Sequence, residues 1–273
     1  MIKCLNLCVD YTHDKNKSIA ALNNLSFDIR DSEFIGVIGP NGSGKSTLAF
    51  CVAGLQPLTS GTIEIDGRDI HDLIKTSEIR DVIGIVFQNP DDQLLTNMVE
   101  HEIAFALENR SVPKDEMVKR VDEIMHRFQI ADLKGQSPNQ LSGGQKQKLA
   151  LASVMIANPK YLILDEPTSF LDMPDRRMIL RQLRVEFQER AHEGFSIIFI
   201  TQFPREAAAC SRIIVLDNGQ IAADDTPENL FTTQQTLFNS IGVEVPIEYQ
   251  IKKAVPGIQV PANIFDYSIN NPA

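Results

Sequence analysis

Cysteine, histidine and long apolar runs are all scarce in this chain of 273 residues. The four cysteines form no C-x-x-C pair and lie in apolar surroundings, which is typical of reduced, buried thiols in a cytosolic protein. The five histidines show no metal-ligand spacing, so we expect them at surface or structural positions. No apolar run approaches the length of a membrane span, and the first residues lack the charged-then-apolar plan of a signal peptide. These absences predict a cytosolic protein, in which any membrane role comes through a partner.

Basic residues are outnumbered, since 26 Lys and Arg stand against 36 Asp and Glu for a net charge of −10. This balance disfavours a broad electrostatic footprint for nucleic acid, although it leaves room for a local basic patch. Free nucleotide is therefore a better candidate ligand than DNA. The length suits one large α/β domain with an insertion and a short tail. The sequence shows neither internal repeats nor a low-complexity run.

A glycine-rich loop directly after a short apolar strand from Phe34 is the most informative stretch that is present. It fits the pattern G-x-x-x-x-G-K-S of a phosphate-binding loop, in which glycines let backbone N–H groups approach an anion. Lys45 is expected to reach the β and γ phosphates, and Ser46 to offer its hydroxyl to Mg²⁺. The helix from Lys45 to about Gly54 points its positive end at the same charge. An ordinary glycine-rich turn would not require this order of strand, loop and helix. The residues predicted to contact the nucleotide here are Gly39, Pro40, Asn41, Gly42, Ser43, Gly44, Lys45, Ser46 and Thr47.

The N-terminal segment is predicted to cover one edge of this loop. Residues 2–9 and 22–30 alternate in hydrophobicity and are separated by a polar turn at 12–17, a pattern that predicts an antiparallel hairpin. Tyr11 lies at the end of the first strand, where its ring can stack on a base. A plain strand-end tyrosine is the alternative.

Helical periodicity replaces strand patterns in the middle of the chain. After a hairpin strand at 61–67, a buried strand at 83–87 ends in Gln88, and the polar residues 89–93 cannot continue it. Apolar residues then recur at helical spacing from about 97 to 129, with Pro113 separating two helices. Because these helices precede the next strand, we predict an inserted helical subdomain over about 95–158.

A third helix and a carboxylate-ended strand follow. The helix opens at Ser142 and runs to Ile156, and the apolar strand 161–165 then ends in Asp165 and Glu166. In an open parallel sheet, ligands bind at that end of the strands. The rest predicts a helix at about 175–190, a strand at 197–201, a short helix at 204–209, strands at 212–217 and 219–223, and a capped helical turn at 226–231. From there on we expect a polar, irregular tail with several prolines.

The order of these motifs over about residues 2–231 resembles the nucleotide-binding subunits of ATP-binding cassette (ABC) transporters. The phosphate-binding loop is followed about 120 positions later by L-S-G-G-Q at 141–145, and then by the strand ending Asp-Glu. The resemblance implies an α/β fold, a P-loop NTPase of ABC type. Its central sheet is mostly parallel, with an antiparallel β subdomain and an inserted helical subdomain. We expect that domain at 1–231 and a C-terminal extension at 232–273.

The L-S-G-G-Q segment reads as a second anion site, because small residues again precede a helix. One nucleotide does not need both loops. The resemblance implies that two subunits pack head to tail, so that this loop closes on the γ-phosphate held by the other chain. It also implies that the loop at 169–172 crosses to that subunit. The residues assigned to this second contact are Ser142, Gly143, Gly144, Gln145 and Asp172.

Roles for the catalytic residues are also implied by the resemblance. Asp165 looks like the carboxylate that holds Mg²⁺ through its water shell, with Ser46 as a second ligand, and Glu166 like the base that polarises the attacking water. Gln88 resembles the strand-end glutamine that contacts the metal region and the membrane partner; a capping glutamine in a turn is the alternative. Lys45 stabilises the phosphate charge.

One position departs from the family pattern. The strand that ends at Thr201 should be followed by a histidine that touches the γ-phosphate, and Gln202 stands there instead. The pair Glu206–Ala207 fixes this register. The departure allows either a site of low turnover or a working substitute, since glutamine positions water in other phosphate-hydrolysing enzymes.

A narrower resemblance is to the ATPases of energy-coupling-factor (ECF) importers, carried by residues 86–93, by Thr226-Pro-Glu and by 241–246. The two resemblances imply ATP and Mg²⁺ as cofactors, a second ABC ATPase subunit, a membrane scaffold subunit and a substrate-binding membrane subunit. Gln202 favours a heterodimer with unequal sites, and a homodimer is the alternative. The location implied is peripheral, on the cytoplasmic face of the membrane, and the cargo a vitamin or a cobalt or nickel ion. The alternatives are a soluble ABC protein that acts on nucleic acid or the ribosome, and a regulatory nucleotide-binding subunit of low turnover.

Overall fold

Two β-sheets organise the molecule, and a computed structural model describes residues 1–14 and 17–255. The strands of the described residues are β1 (Ile2–Asp14), β2 (Lys17–Ile29), β3 (Phe34–Ile38), β4 (Ser60–Ile65), β5 (Arg68–Asp69), β6 (Ile83–Val86), β7 (Tyr161–Asp165), β8 (Ser196–Ile200), β9 (Arg212–Asp217) and β10 (Gln220–Asp225). The α-helices are α1 (Lys45–Val52), α2 (Ile70–Lys75), α3 (Ile79–Val82), α4 (Val99–Glu108), α5 (Lys114–Arg127), α6 (Gly143–Met155), α7 (Met173–Arg190), α8 (Pro204–Ala207), α9 (Pro227–Thr233), α10 (Gln235–Ser240) and α11 (Ile247–Ala254).

The central sheet has six strands in the order β10-β9-β3-β8-β7-β6. Neighbouring strands from β9 to β6 are parallel, and only β10 pairs antiparallel with β9 at the edge. Strands β3, β7 and β8 are buried along their whole length because helices cover both faces of the sheet. The predicted mostly parallel sheet is confirmed, and the carboxyl ends of β3, β7 and β8 meet at one edge.

The smaller sheet is antiparallel, in the order β2-β1-β4-β5, and confirms the predicted hairpin. The predicted strand ends were wrong, because β1 continues to Asp14 and β2 begins at Lys17, so the predicted turn at 12–17 is mostly strand. Asp10 pairs with Ala20 and Tyr11 with Ile19 in this extension. Its residues are largely polar, so they carry no alternation that marks a strand. Positions 15 and 16 lie outside the described residues.

The helices between β6 and β7 pack on one another and on the sheet. Val99, Ile103, Val121 and Met125 are buried there, and Pro113 precedes the first residue of α5 as predicted. The short helices α2 and α3 were not predicted. All four cysteines are free, as expected, although Cys8 is half-buried rather than buried. Among the described residues, no helix combines the length and the apolar character of a membrane span.

The tail prediction was wrong beyond Phe231. Residues up to 254 form α10 and α11, and Phe238 and Tyr249 pack against Phe231 with ring centroids 5.2 and 5.0 Å away. These rings join a separate hydrophobic cluster with Val215 of the central sheet. The extension is therefore docked on the domain through at least residue 254. Pro256, Pro261 and Pro272 lie outside the described residues.

Candidate nucleotide-hydrolysis site

The glycine-rich loop joins the end of β3 to α1, as the sequence predicts. Two features call for glycine at Gly39 and Gly44. One is the approach of an anion to the loop, and the other is close packing on the opposite side of the loop. A Cβ on Gly39 would come within 2.1 Å of the Leu216 carbonyl oxygen, and one on Gly44 within 2.5 Å of the Ala21 carbonyl oxygen. Both glycines also have positive φ, at 155° and 102°. The loop is thus pressed against β2 and β9, which holds its backbone in one shape.

Lys45 lies inside this loop with only 5% of its surface exposed. Its Nζ donates to the carbonyl oxygens of Gly39 (2.9 Å) and Pro40 (3.0 Å). Burial lowers the pKa of the ammonium group, and the charges of Asp165 and Glu166 oppose that shift. A buried ammonium needs strong acceptors, and phosphate oxygens are stronger acceptors than carbonyl oxygens.

Unlike Lys45, the side chain of Ser43 in the same loop has no hydrogen-bond partner among the described residues. The Ser43 hydroxyl is buried and makes no hydrogen bond. A buried hydroxyl without a partner is costly, so it indicates a ligand atom that completes the loop. The loop therefore fits an anion, as the predicted nucleotide phosphates would be.

Ser46 and Asp165 meet at the predicted metal position. The Ser46 Oγ donates to Asp165 Oδ1 at 3.1 Å, across the ends of α1 and β7. Burial raises the pKa of the Asp165 carboxyl to about 6, against the Ser46 hydrogen bond and the charge of Lys45. A nearby cation would reverse this shift. Among the described residues no cluster of three or more acidic, His or Cys ligands exists. One hydroxyl and one carboxylate suit Mg²⁺, which keeps several waters and takes phosphate oxygens as ligands.

Glu166 sits in the centre of a polar cluster at the end of β7. Its carboxylate accepts from Ser169 Oγ at 2.7 Å and from Gln88 Nε2 at 3.1 Å. Gln202 Nε2 donates to the same Ser169 hydroxyl at 3.4 Å. The structure thus brings Glu166, Gln88 and Gln202 together from three strand ends, as the sequence predicts. Both side-chain donors to the Glu166 carboxylate are therefore neutral.

Glu206 holds two of these strand ends together, although in the sequence it serves only to fix a register. It is 2% exposed, and its carboxylate accepts from the hydroxyls of Thr168 (2.9 Å) and Thr201 (2.7 Å). Arg176 of α7 lies 3.4 Å from it, and the Arg176 guanidinium lies over the Phe203 ring at 4.0 Å. No pattern in one sequence marks this contact, because its partners are 5 to 38 residues away.

Tyr11 reaches the loop from the side. Its hydroxyl lies 3.4 Å from Thr47 Oγ1, and the ring is partly exposed. The residue was expected at a strand end, but β1 continues past it to Asp14. The contact with Thr47 places Tyr11 beside the nucleotide loop, and its role in stacking on a base stays a prediction.

The second predicted anion site stands apart from this cluster. Ser142 and Gln145 cap α6 reciprocally, since each side chain accepts from the backbone N–H of the other at 3.3 and 2.9 Å. Asp172 caps α7 by accepting from the Asp175 N–H at 2.9 Å. Gly143 is exposed, and Gly144 packs against Asp175. No hydrogen bond of the described residues links Ser142–Gln145 or Asp172 to the phosphate-binding loop.

The segment after Gln88 is bound to α6. The Gln93 amide donates to the Ala150 carbonyl oxygen (3.0 Å) and to Ser153 Oγ (3.3 Å). Asp91 and Asp92 are both exposed, and among the described residues only Asp91 has an ion-pair partner, Lys146 at 2.6 Å. The segment that follows Gln88, the residue that touches Glu166, is thus held against α6.

Comparisons with known proteins agree with this geometry. A family model described as ABC transporter matches residues 22–169. The chain is 37% identical over 268 residues to the energy-coupling factor transporter ATP-binding protein EcfA1 of Clostridium novyi (strain NT), a match that covers 97% of this chain and 94% of that protein.

Two solved structures are similar. One is the ATP-binding cassette MJ0796 in a dimeric post-hydrolysis state bound to ADP and Pi, with a TM-score of 0.76 and 29% identity over 83% of this chain and 99% of that one. The other is CbiO1 of Clostridium perfringens, part of the ABC transporter complex CbiONQ, with a TM-score of 0.75 and 31% identity over 92% and 98% of the two chains. The glycine-rich loop, the Asp-Glu strand end and these matches together place the chain in the ABC transporter family, among the energy-coupling factor ATP-binding proteins.

Proposed function

We propose that this chain is the ATP-binding and hydrolysing subunit of an ECF-type importer. It couples ATP-driven closure of a dimer to uptake of a vitamin or a transition-metal ion through membrane partners. The observation that carries the proposal is the Glu166 carboxylate, held by Gln88 and Ser169 beside the pair Ser46–Asp165. That arrangement fits hydrolysis of a phosphoanhydride by water and has no other evident use.

The residues divide the chemistry among them. Lys45 and the loop N–H groups bind the β and γ phosphates, and Ser46 and Asp165 would hold Mg²⁺. When bound, Mg²⁺ supplies positive charge to the phosphate oxygens. Glu166 accepts the proton of the attacking water, and Gln88 and Gln202 orient that water with neutral amides. Most of the rate enhancement comes from positioning and charge stabilisation.

A second cassette subunit completes each site in this proposal. The Ser142 loop ends in an exposed glycine at the N-terminus of a 13-residue helix, so it can present N–H groups to an anion held by another chain. Phe170 and Met173, on either side of Asp172, are large apolar residues with 69% and 45% exposure, as expected for a surface covered by a partner. A heterodimer is favoured, because Gln202 would make the site of this chain slower than that of a partner that has histidine at this position.

The membrane partners are proposed from family and from groove geometry. A cavity of about 550 Å³ lies between the sheet and the inserted helices, lined in part by Arg80, Ile85, Phe105 and Arg110. It can receive a short cytoplasmic helix of the membrane scaffold subunit. A separate membrane subunit binds the cargo, and this chain associates peripherally with the cytoplasmic face. Nucleic acid is not a partner, in keeping with the net charge of −10.

The nucleotide site is tested by Lys45→Ala. We expect nucleotide affinity to fall at least a hundredfold, about 2.7 kcal/mol, because the ammonium group inside the loop is lost. Calorimetric titration of Mg-ATP measures this, with Lys114→Ala as the control that removes an exposed ammonium. Unchanged affinity in Lys45→Ala would overturn the assignment. Co-purification with an integral membrane protein, as opposed to RNA or DNA, tests the transport role.

A further inference from the structure

A groove of about 520 Å³ lies on the surface between the end of α5, α6 and α7, away from the residues assigned to nucleotide. Three cations line it, Lys148 from α6 and Arg177 and Arg181 from α7. We call it the basic groove. Its polar wall is completed by Gln129 and Gln182. Three positive charges around one cavity are unexpected in a chain of net charge −10.

None of these three cations has a counter-charge. Among the described residues, no carboxylate or hydrogen-bond acceptor pairs with Lys148, Arg177 or Arg181. Arg177 and Arg181 are four residues apart on one helix, where like charges destabilise the helix. Both arginines are exposed, so their guanidinium groups are accessible.

Three other cations of these two helices are paired. Lys146 of α6 binds Asp91 at 2.6 Å, and in α7 Arg176 and Arg190 lie 3.4 and 3.5 Å from Glu206 and Glu193. Four cations of these helices lack a partner among the described residues; three of them line the basic groove, and Arg184 does not. An anionic partner would relieve the repulsion that this face carries.

Apolar side chains form the rest of the groove. Phe128 and Ile179 are buried beneath it, and Met178 and Val185 are half-buried at its wall. An inorganic anion makes no use of such a surface, whereas a peptide with both acidic and apolar side chains does. A concave site of this size is also poorly shaped for a flat lipid surface.

We propose that the basic groove binds an acidic, amphipathic protein segment of a partner. Carboxylates of that segment pair with Arg177 and Arg181 in the bidentate geometry that guanidinium favours, and Lys148 binds a third. An apolar side chain of the segment covers Met178 and Val185. The contact gives the chain a docking site on α7, the helix that follows the loop at 169–172, and it does not depend on the ATPase assignment.

The first test uses the full chain and a fluorescent peptide of about 12 residues with Glu and Leu at helical spacing. We expect Arg177→Gln/Arg181→Gln to weaken peptide binding at least about tenfold. The control Lys3→Gln/Lys114→Gln removes two exposed, unpaired cations elsewhere and should change binding less than about twofold. ATP hydrolysis should be unchanged in both. Equal weakening by the two variants, or equal binding of a peptide with Gln in place of Glu, would overturn the proposal.

Other anions distinguish the class of partner. Phosphatidylglycerol vesicles, an RNA oligonucleotide and inorganic phosphate are titrated against the same variants. Weak binding of all three, insensitive to Arg177→Gln/Arg181→Gln, supports the peptide assignment. Vesicle, RNA or phosphate binding that is lost in that variant, without peptide binding, would contradict it.

The intact membrane complex provides the second test. A photo-cross-linking residue at Gln182 should form a cross-link to a partner segment that carries at least two Asp or Glu, and the cross-link should disappear in Arg177→Gln/Arg181→Gln. A cross-link to a segment without acidic residues, to lipid, or to nothing would contradict the proposal.

Discussion

Glu166 has a backbone conformation that residues with side chains usually avoid. Its φ is 48°, in the left-handed region that costs about 1–2 kcal/mol for such a residue. Its N–H donates to the Ile200 carbonyl oxygen at 3.0 Å, and this bond holds the turn. The turn ends β7 and aims the carboxylate at Gln88 and Ser169. Strain at this residue is thus part of how the proposed base is positioned.

Gln202→His tests the residue that departs from the family. A neutral amide lacks the charge of an imidazolium, and losing such a contact in the transition state costs about 2–4 kcal/mol, or roughly thirty- to a thousandfold in rate. We expect at least a tenfold gain in ATPase rate at this chain's site. The measurement uses a heterodimer whose partner has its own catalytic glutamate disabled.

Gln220→His is the matched control, because Gln220 is exposed on the sheet edge. No gain in Gln202→His, with a brisk rate in the wild type, would show that Gln202 is a working substitute and that the two sites are equal.

Glu206→Gln tests the hydrogen bonds by which Glu206 joins the loops after β7 and β8. Burial raises the pKa of Glu206, whereas the Thr201 and Thr168 hydrogen bonds and the charge of Arg176 favour its ionised form. The amide has one acceptor oxygen and leaves Arg176 without a counter-charge. We expect kcat to fall at least about tenfold, 1.4 kcal/mol, with KM for ATP within about twofold.

The control is Glu228→Gln, which removes an exposed pair with Lys252. A parallel rise in KM, or a loss of kcat matched by loss of folded protein, would mean that Glu206 only supports the fold.

Elements with strong periodicity could be predicted from the sequence, and those held by distant contacts could not. Strand β7 was predicted to the residue, since four consecutive apolar residues lead to Asp165 at its end. Helices α2 and α3 have six and four residues, too few to show a helical period. The bond between Gln88 and Glu166 joins residues 78 positions apart, and only the family resemblance brought the two into one site. The division at residue 231 stays a prediction.

The helices of the C-terminal extension are also held by distant contacts, and they could not be predicted from the sequence. Phe238 and Tyr249 lie in a segment that Gly242 and Pro246 interrupt, so no sustained helical period predicts their burial. Phe238 is 0% exposed. We expect Phe238→Ala to cost the docking of the extension about 3–5 kcal/mol, because it leaves a cavity beside Phe231.

Hydrogen exchange measures this cost. Amides of 235–254, such as the Val243 N–H that bonds the Phe238 carbonyl oxygen at 2.9 Å, should exchange faster, while those of β7 stay protected. Leu237→Ala, at a half-buried position of the same helix, should have a smaller effect. Equal protection in Phe238→Ala and wild type would contradict this account of the extension.

The segment at 88–93 is the proposed link between the site and the membrane scaffold. Asp91 is engaged by Lys146, so Asp92 is the cleaner position for a charge reversal. We expect Asp92→Lys to weaken coupled transport at least about fivefold and to leave basal ATPase within twofold, because it alters docking and not chemistry. Transport into proteoliposomes and ATPase rates are compared with Asp115→Lys, an exposed site on α5. Equal loss of both activities, or no loss, would contradict the docking role.

At the scale of the whole molecule, one chain holds two sets of anion-binding features that do not meet. The phosphate-binding loop, Asp165 and Glu166 form one cluster, and the capped N-terminus of α6 lies outside it. One nucleotide can use both only if a second cassette supplies the other set. The exposed Phe170 and Met173 beside Asp172 agree with such a partner. We therefore propose that two cassettes close on ATP to complete each site.

The most direct test is the size of the cassette complex formed by Glu166→Gln with its cassette partner in Mg-ATP, measured by light scattering. The amide keeps the shape of the carboxylate but cannot accept a proton, so ATP should bind and persist. Glu228→Gln is the control for loss of a surface carboxylate. The account predicts a two-cassette complex that is stable in Mg-ATP and dissociates in Mg-ADP, together with at least a hundredfold slower hydrolysis at this site. No increase in association with any cassette partner, or undiminished hydrolysis at this site, would contradict it.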